Sequence, residues 1–235
     1  MNWSYGVTTC FDRVRGPLLE TARSLREAGF DRPRLFADGC RENGVPESLA
    51  GLPVTCRNPA VQVAANLFLS LQELYLRDPH ADRYALFQDD CLAVRGLRGY
   101  LDRCEYPARG YWNLYTCGEN AKLCKPGYRG WYQSNQLGKG AVGLVFDRQS
   151  LLTLLSCPEL LERFQNERKG HKSVDGAVVH VLTKAGYKEH VHSPSLMEHT
   201  GDVSVQNPQR HPSRKMRSGN WLGEDADLLS IISPS

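Results

Sequence analysis

No two of the 8 cysteines in this 235-residue sequence are spaced C-x-x-C. Structural zinc sites are usually built on such pairs, so a zinc module is not expected. No apolar run is long enough to cross a bilayer, and the opening MNWSYGVTTCFDR has no apolar signal core. A cytoplasmic location with free thiols is therefore expected. Charge of one sign is scarce: 29 Lys and Arg face 26 Asp and Glu, for a formal net charge of +3. So weak a field permits an anionic ligand but does not demand nucleic acid. There is no internal repeat and no low-complexity linker. The glycines of LGKGAVGLVFDRQSLLTLL (Leu137 to Leu155) are not followed by Gly-Lys-Ser/Thr, so they form no P-loop. The order of strand and helix around them also excludes a dinucleotide fingerprint.

What is present is ordinary for a globular chain: 41% hydrophobic and 23% charged residues, with a length that suits one α/β domain. The first half alternates two periodicities. Trp3–Thr9, Arg34–Ala37, Pro53–Arg57, Tyr84–Gln88 and Tyr111–Thr116 read as strands. Leu18, Leu19, Ala22, Leu25 and Ala28 make a helical stripe that Gly29 stops. Ala64, Leu67, Phe68, Leu71 and Tyr75 make another. Cys117 to Ala141 breaks the pattern with five glycines and reads as a long functional loop. Val142–Phe146 and Tyr187–His192 then read as strands, with helices over Leu151–Leu155, Glu159–Phe164 and around Val174 to Ala185. The alternation predicts a mostly parallel sheet with helices on both faces. Ligands of such sheets lie beyond the carboxyl ends of the strands, which singles out Thr8, Thr9, Asp38, Asp89, Asp90 and Thr116.

Asp89 and Asp90 follow the apolar run YALFQ. Two buried like charges side by side repel, and a divalent cation removes the conflict. A turn or helix-capping pair is the plain alternative. Asp175, in SVDGAVVHVL, sits in the first turn of a helix, where the dipole favours a carboxylate. It could also serve as a general base. His190 and His192 alternate along a strand and could pair on a metal, although a lone His is more often structural. The glycine-rich turn at Gly138 and Gly140 could let backbone approach a sugar closely.

In this order the segments resemble the GT-A glycosyltransferases. GVTTCFDR with its helix and RLFADG resembles the first nucleotide-binding βα unit. YALFQDD resembles the DxD region, GKGAVGLVFDRQSL the G-x-G-A segment bordering the donor sugar, and VDGAVVHVL the segment of the catalytic carboxylate. PSLMEHTGDVS resembles the ending found in the branching N-acetylglucosaminyltransferases and their bacterial and viral relatives.

The resemblance implies a GT-A, Rossmann-like α/β domain over residues 1–201, with a C-terminal tail, 202–235, packed on it. It implies Asp90 and His199 as ligands of Mn²⁺ or Mg²⁺, and Asp175 as the base of an inverting transfer from a nucleotide-sugar, a UDP-sugar by expectation. Thr8, Thr9, Arg13 and Asp38 would bind the nucleotide, Gln88 and Asp89 the ribose or donor sugar, and Gly140 and Ala141 would border that sugar. Gln88 departs from the usual acidic first position and removes one negative charge. The acceptor is a glycan or another hydroxyl compound, with Trp131 and Tyr132 as candidate contacts. The basic tail residues His211, Arg214, Lys215 and Arg217 raise a modified DNA base as a further acceptor. Two other classes compete: a nucleotidyltransferase, poorly matched by GVTTCFDRVRG, and a non-catalytic nucleic-acid-binding module that would stack bases on Trp131 and Tyr132.

Overall fold

A computed structural model describes residues 1–10, 13, 16–39, 49–158, 160, 174–201 and 217–228. Its centre is an eight-stranded sheet. In chain order the strands are β1 (Trp3–Cys10), β2 (Arg34–Asp38), β3 (Val54–Arg57), β4 (Arg83–Gln88), β6 (Gly110–Asn113), β7 (Gly130–Gln133), β8 (Gly143–Asp147) and β9 (Lys188–Ser193). They lie in the order β3-β2-β1-β4-β8-β6-β9-β7. Neighbours are parallel except where β8 or β7 pairs, so the expected mostly parallel sheet is present.

Both faces of this sheet are covered, which is why β4 carries an unbroken apolar run rather than an alternating one. Tyr84 and Leu86 point into one core with Leu67, Phe68 and Leu71 of α2 (Gln62–Arg77). Leu151 and Leu154 of α5 (Arg148–Leu155) join that core, as do Val178, Val181 and Leu182 of α6 (Val174–Lys184). Ala85 and Phe87 point the other way, onto Leu18, Ala22 and Leu25 of α1 (Pro17–Glu27) and Leu97 and Leu101 of α3 (Leu97–Leu101). One strand with period two thus feeds two separate cores. Pro17 at the first position of α1 fits its fixed φ, and Asp147 caps α5 by accepting from the Ser150 amide at 2.7 Å.

A second sheet of two short strands, β5 (Cys91–Ala93) and β10 (Met197–His199), pairs antiparallel with His199 opposite Cys91. Neither strand shows in the sequence pattern, because three residues carry no periodicity. The glycine-broken stretch from Cys117 to Ala141 is not one long loop: it holds a short helix, α4 (Gly118–Ala121), and the edge strand β7. The helix expected over Glu159–Phe164 lies outside the described residues except for Leu160, which is buried. Most of the tail also lies outside them. In its described part, Ser218 bridges to Cys117, Glu224 pairs with Arg23, and Leu228 is buried in the core beneath α1 and α3.

Among the described residues, no helix is long and apolar enough to cross a membrane. Cys10, Cys91, Cys104, Cys117, Cys124 and Cys157 are in no disulfide, but Cys56 is disulfide-bonded, which corrects the expectation of free thiols throughout.

Candidate active site

β1 and β4 are parallel neighbours, with Thr8 opposite Gln88. Whatever follows one strand therefore emerges beside whatever follows the other. Asp89 and Asp90 leave β4 here, and each is 4% exposed. Thr9 donates from Oγ1 to Asp89 Oδ2 at 2.7 Å. Arg13 reaches across with Nη1, 2.9 Å from Asp89 Oδ1 and 2.5 Å from Asp90 Oδ2. The β5–β10 pair then brings His199 back to the same point. Thr200 donates its amide to the Asp90 carbonyl at 2.8 Å, and His199 Nε2 lies 3.3 Å from Asp90 Oδ2. Gly201 closes the corner, since a Cβ there would run into the Asp90 carboxylate and the His199 ring.

Eight buried side-chain polar atoms among the described residues have no hydrogen-bond partner, and two of them lie together at this corner: Asp90 Oδ1 and His199 Nδ1. Nearly all buried polar atoms in native proteins are paired, so an orphaned oxygen and an orphaned imidazole nitrogen on two touching residues point to a missing group. Oxygen and imidazole nitrogen are suitable donors for Mn²⁺, and oxygen for Mg²⁺. The residues present therefore fit a divalent cation completed by ligand oxygens. Among the described residues no group of three or more His, Cys, Asp and Glu could hold a metal unaided.

The electrostatics split the two aspartates. Burial pushes the Asp89 carboxyl up, and the Asp90 charge adds to this, against the pull of Arg13 and Thr9. Burial acts on Asp90 in the same direction, but its contacts with His199 and Arg13 outweigh it and hold Asp90 below the ordinary value. Asp90 is therefore the firmly ionised member of the pair. Burial alone would lower Arg13, yet Asp90 and Asp89 raise it well above its ordinary range.

Asp175 heads α6 at the same end of the sheet as His199. Its Oδ2 accepts the Gly140 amide at 2.7 Å. Gly140 has φ +80° and packs against the Tyr115 ring so closely that a Cβ would collide with it. Only glycine suits both the angle and the space. Asp175 is half-buried. Burial raises its proton affinity, against the lowering effect of the Gly140 and Ala141 amides and of His199.

The structure thus brings Thr9, Arg13, Asp89, Asp90, Gly140, Ala141, Asp175 and His199 to one end of the sheet. Gln88 ends β4 beside them and is half-buried. The other sequence candidates are engaged elsewhere. Thr8 donates to the Phe87 carbonyl at 3.2 Å. Asp38 accepts the Val61 and Gln62 amides at 2.7 and 2.8 Å, so its carboxylate caps the start of α2. Thr116 donates to the His192 carbonyl inside the core. His192 is fully buried, with its ring nitrogens at the Tyr100 hydroxyl (2.6 Å) and the Pro194 carbonyl (2.7 Å). It is therefore a core histidine and not half of a metal pair.

Trp131 stacks on Trp112 at 4.7 Å and meets the His192 ring edge-on, and Tyr132 donates to the Asn120 carbonyl. Three strands separate β7 from β4, so these two aromatic residues lie away from Asp90. A Trp131 face already packed on Trp112 is not free to stack on a base. Arg217 donates to the His199 carbonyl at 2.6 Å, while His211, Arg214 and Lys215 lie outside the described residues.

Sequence reasoning missed three supports. Thr21 and Ser24 of α1 hydrogen-bond the backbone of β5. Glu198 accepts the His199 and Ser218 amides. Glu189, 2% exposed, accepts from Tyr111 and Asn113. A polar residue inside a predicted apolar stripe, such as Thr21 among Leu18, Ala22 and Leu25, was the available signal for the first.

No family model matches the chain, and no curated protein matches it. Solved structures do. GalNAc-T7 with UDP, GalNAc and Mn²⁺ matches with a TM-score of 0.57 at 13% identity, over 89% of this chain and 45% of that one. The galactosyltransferase LgtC, in complex with donor and acceptor sugar analogs, matches with a TM-score of 0.45 at 14% identity, over 80% of this chain and 73% of that one. The apo form of the glycosyltransferase GlyE of Streptococcus pneumoniae TIGR4 gives 0.45 at 11% identity, over 80% of this chain and 45% of that one. This chain thus spans less than half the length of two of the three, and none of them singles out the branching N-acetylglucosaminyltransferases. At these identities the likeness speaks for architecture, and GalNAc-T7 carries it: the chain has the GT-A fold.

Proposed function

We propose that the chain is an inverting, metal-dependent glycosyltransferase that moves a sugar from a nucleotide-sugar, for which a UDP-sugar is the first choice, to an acceptor hydroxyl. The observation that carries this reading is the contact of Asp90 with His199, each holding one buried atom without a partner, on the same sheet end as Asp175. Asp90 and His199 would hold Mn²⁺ or Mg²⁺, with donor oxygens completing the shell. When bound, the ion supplies Lewis-acid stabilisation of the charge on a departing diphosphate.

The chain's own residues do the rest. The amides of Gly140 and Ala141 fix the orientation of the Asp175 carboxylate. Burial makes Asp175 a stronger base than an exposed aspartate. It takes the proton of the acceptor hydroxyl as that oxygen bonds to the anomeric carbon. The bond from that carbon to the diphosphate oxygen breaks, and the electron pair leaves with the diphosphate. Attack opposite the leaving group inverts the anomeric centre. Asp89, held by Thr9, would bind a ribose or donor sugar hydroxyl.

Asp175→Asn tests the assignment, because it preserves shape and removes the base. Transfer should fall by about three orders of magnitude or more, while donor binding measured by calorimetry with Mn²⁺ stays within a few-fold. Turnover near the wild-type rate would overturn the role of Asp175. A hydrolysis screen of nucleotide-sugars with Mn²⁺ would identify the donor, and no turnover of any donor would count against the class.

A further inference from the structure

A nitrogen of Arg13 occupies the bridging position between the two aspartates. Its Nη1 contacts one oxygen of each, as a shared cation would. The reason is electrostatic: carboxylates with side chains 6% and 5% exposed need a positive neighbour before either can stay ionised. Arg13 reaches them because it lies in the turn between β1 and α1, with Gly16 donating its amide to the Arg13 carbonyl at 3.2 Å. That turn opens at the end of β1, beside the end of β4. Yet the guanidinium leaves the site incomplete. It touches Asp90 through Oδ2 only, and both Asp90 Oδ1 and His199 Nδ1 stay without partners.

We propose that Arg13 is the resident counter-ion of the Asp89–Asp90 pair and competes with the divalent cation for it. A diphosphate is the ligand class that releases it. A planar guanidinium pairs with phosphate oxygens as well as with carboxylates. An arriving diphosphate therefore draws Arg13 off the aspartates and brings ligand oxygens for the metal in the same step. Metal and nucleotide then bind cooperatively, each strengthening the other by the same factor. Arg13 sets that coupling as a positioning residue. This inference rests on the metal-dependent reading above and extends it.

The test compares wild type with Arg13→Gln by titration of Mn²⁺ in the absence of nucleotide, read by the electron paramagnetic resonance signal of the free ion. The same titration is repeated with UDP. Wild type should bind Mn²⁺ weakly alone and about tenfold or more tightly with UDP. Arg13→Gln should bind Mn²⁺ alone about tenfold or more tightly than wild type does, and gain little further from UDP. Arg13→Lys, which keeps the charge, should stay close to wild type.

Arg13→Gln binding Mn²⁺ no more tightly than wild type would overturn the proposal, while UDP-dependent Mn²⁺ binding by wild type would leave the functional reading standing. The converse pattern, tight Mn²⁺ binding by Arg13→Gln with no effect of UDP on wild type, would uphold the counter-ion but overturn its release by a diphosphate. Should Arg13→Gln fold only when metal is present, circular dichroism gives the same answer. Folding restored by millimolar Mn²⁺ supports competition, and failure to fold with Mn²⁺ overturns it.

Discussion

Replacing Thr21 by valine isolates one link between the fold and the candidate site. Thr21 is fully buried on α1, where its hydroxyl donates to the Cys91 carbonyl at 2.9 Å and accepts the Cys91 amide at 3.0 Å. Cys91 begins β5, directly after Asp90, and pairs with His199 of β10. The edge of β5 that faces away from β10 therefore has side-chain hydroxyls where another strand would supply backbone. Ser24 serves Ala93 in the same way. Valine matches threonine in shape, so the change leaves almost no cavity and removes only the two hydrogen bonds. A buried amide and a buried carbonyl are then orphaned, at about 1–3 kcal/mol each. The loss should total about 2–6 kcal/mol, a large share of the roughly 5–15 kcal/mol typical of a domain. Urea unfolding measures it as a lower midpoint with the slope unchanged. Thr21→Ser keeps the hydroxyl and should lose only about 1 kcal/mol for the missing methyl. A loss below about 0.5 kcal/mol for Thr21→Val, or equal losses for the two variants, would refute the bracing of β5 by α1.

Two further outcomes follow from the same contacts. Gly140→Ala forces a side chain onto a residue at φ +80° and against the Tyr115 ring, so it should cost about 2 kcal/mol or more and displace the amide that holds Asp175. A melt and a transfer assay on one sample should both register the change, and normal activity with normal stability would count against the cap. His192, with burial and a Pro194 contact acting on it, titrates at about 4 rather than 6.5, because burial disfavours its charged form. The unfolded chain thus takes up a proton first as pH falls. Stability is full above about pH 6.5, declines by about 3 kcal/mol on the way down to about pH 4, and levels off below. His192→Gln should flatten that part of the profile, and a wild-type stability unchanged between about pH 7 and about pH 4 would remove the buried neutral imidazole from the account.

Strands with an apolar run, helices with a stripe and the carboxylates at strand ends were legible in the sequence, because periodicity and burial leave their mark locally. YALFQ followed by Asp89 and Asp90 is a strand that runs out of core, and a carboxylate pair there is conspicuous in one dimension. Asp175 was legible by its place in a helix's first turn. The order of these segments, matched to a known family, pointed to the GT-A fold before any contact was visible.

Tertiary structure alone decided which candidates meet. Asp90 and His199 are 109 positions apart in sequence and touch only because two three-residue strands pair, and strands that short carry no pattern. Trp131 read as a loop aromatic and a candidate acceptor contact, yet it packs on Trp112, because β7 covers the sheet edge beside β9. Asp38 read as a strand-end ligand, yet its carboxylate caps a helix. Arg13 read as a nucleotide contact, and the structure sets its guanidinium on the aspartates. In each case the sequence determined which residue stands at the end of an element, a local property of the chain. What that residue faces depends on how elements distant in sequence pack, and no local pattern encodes it.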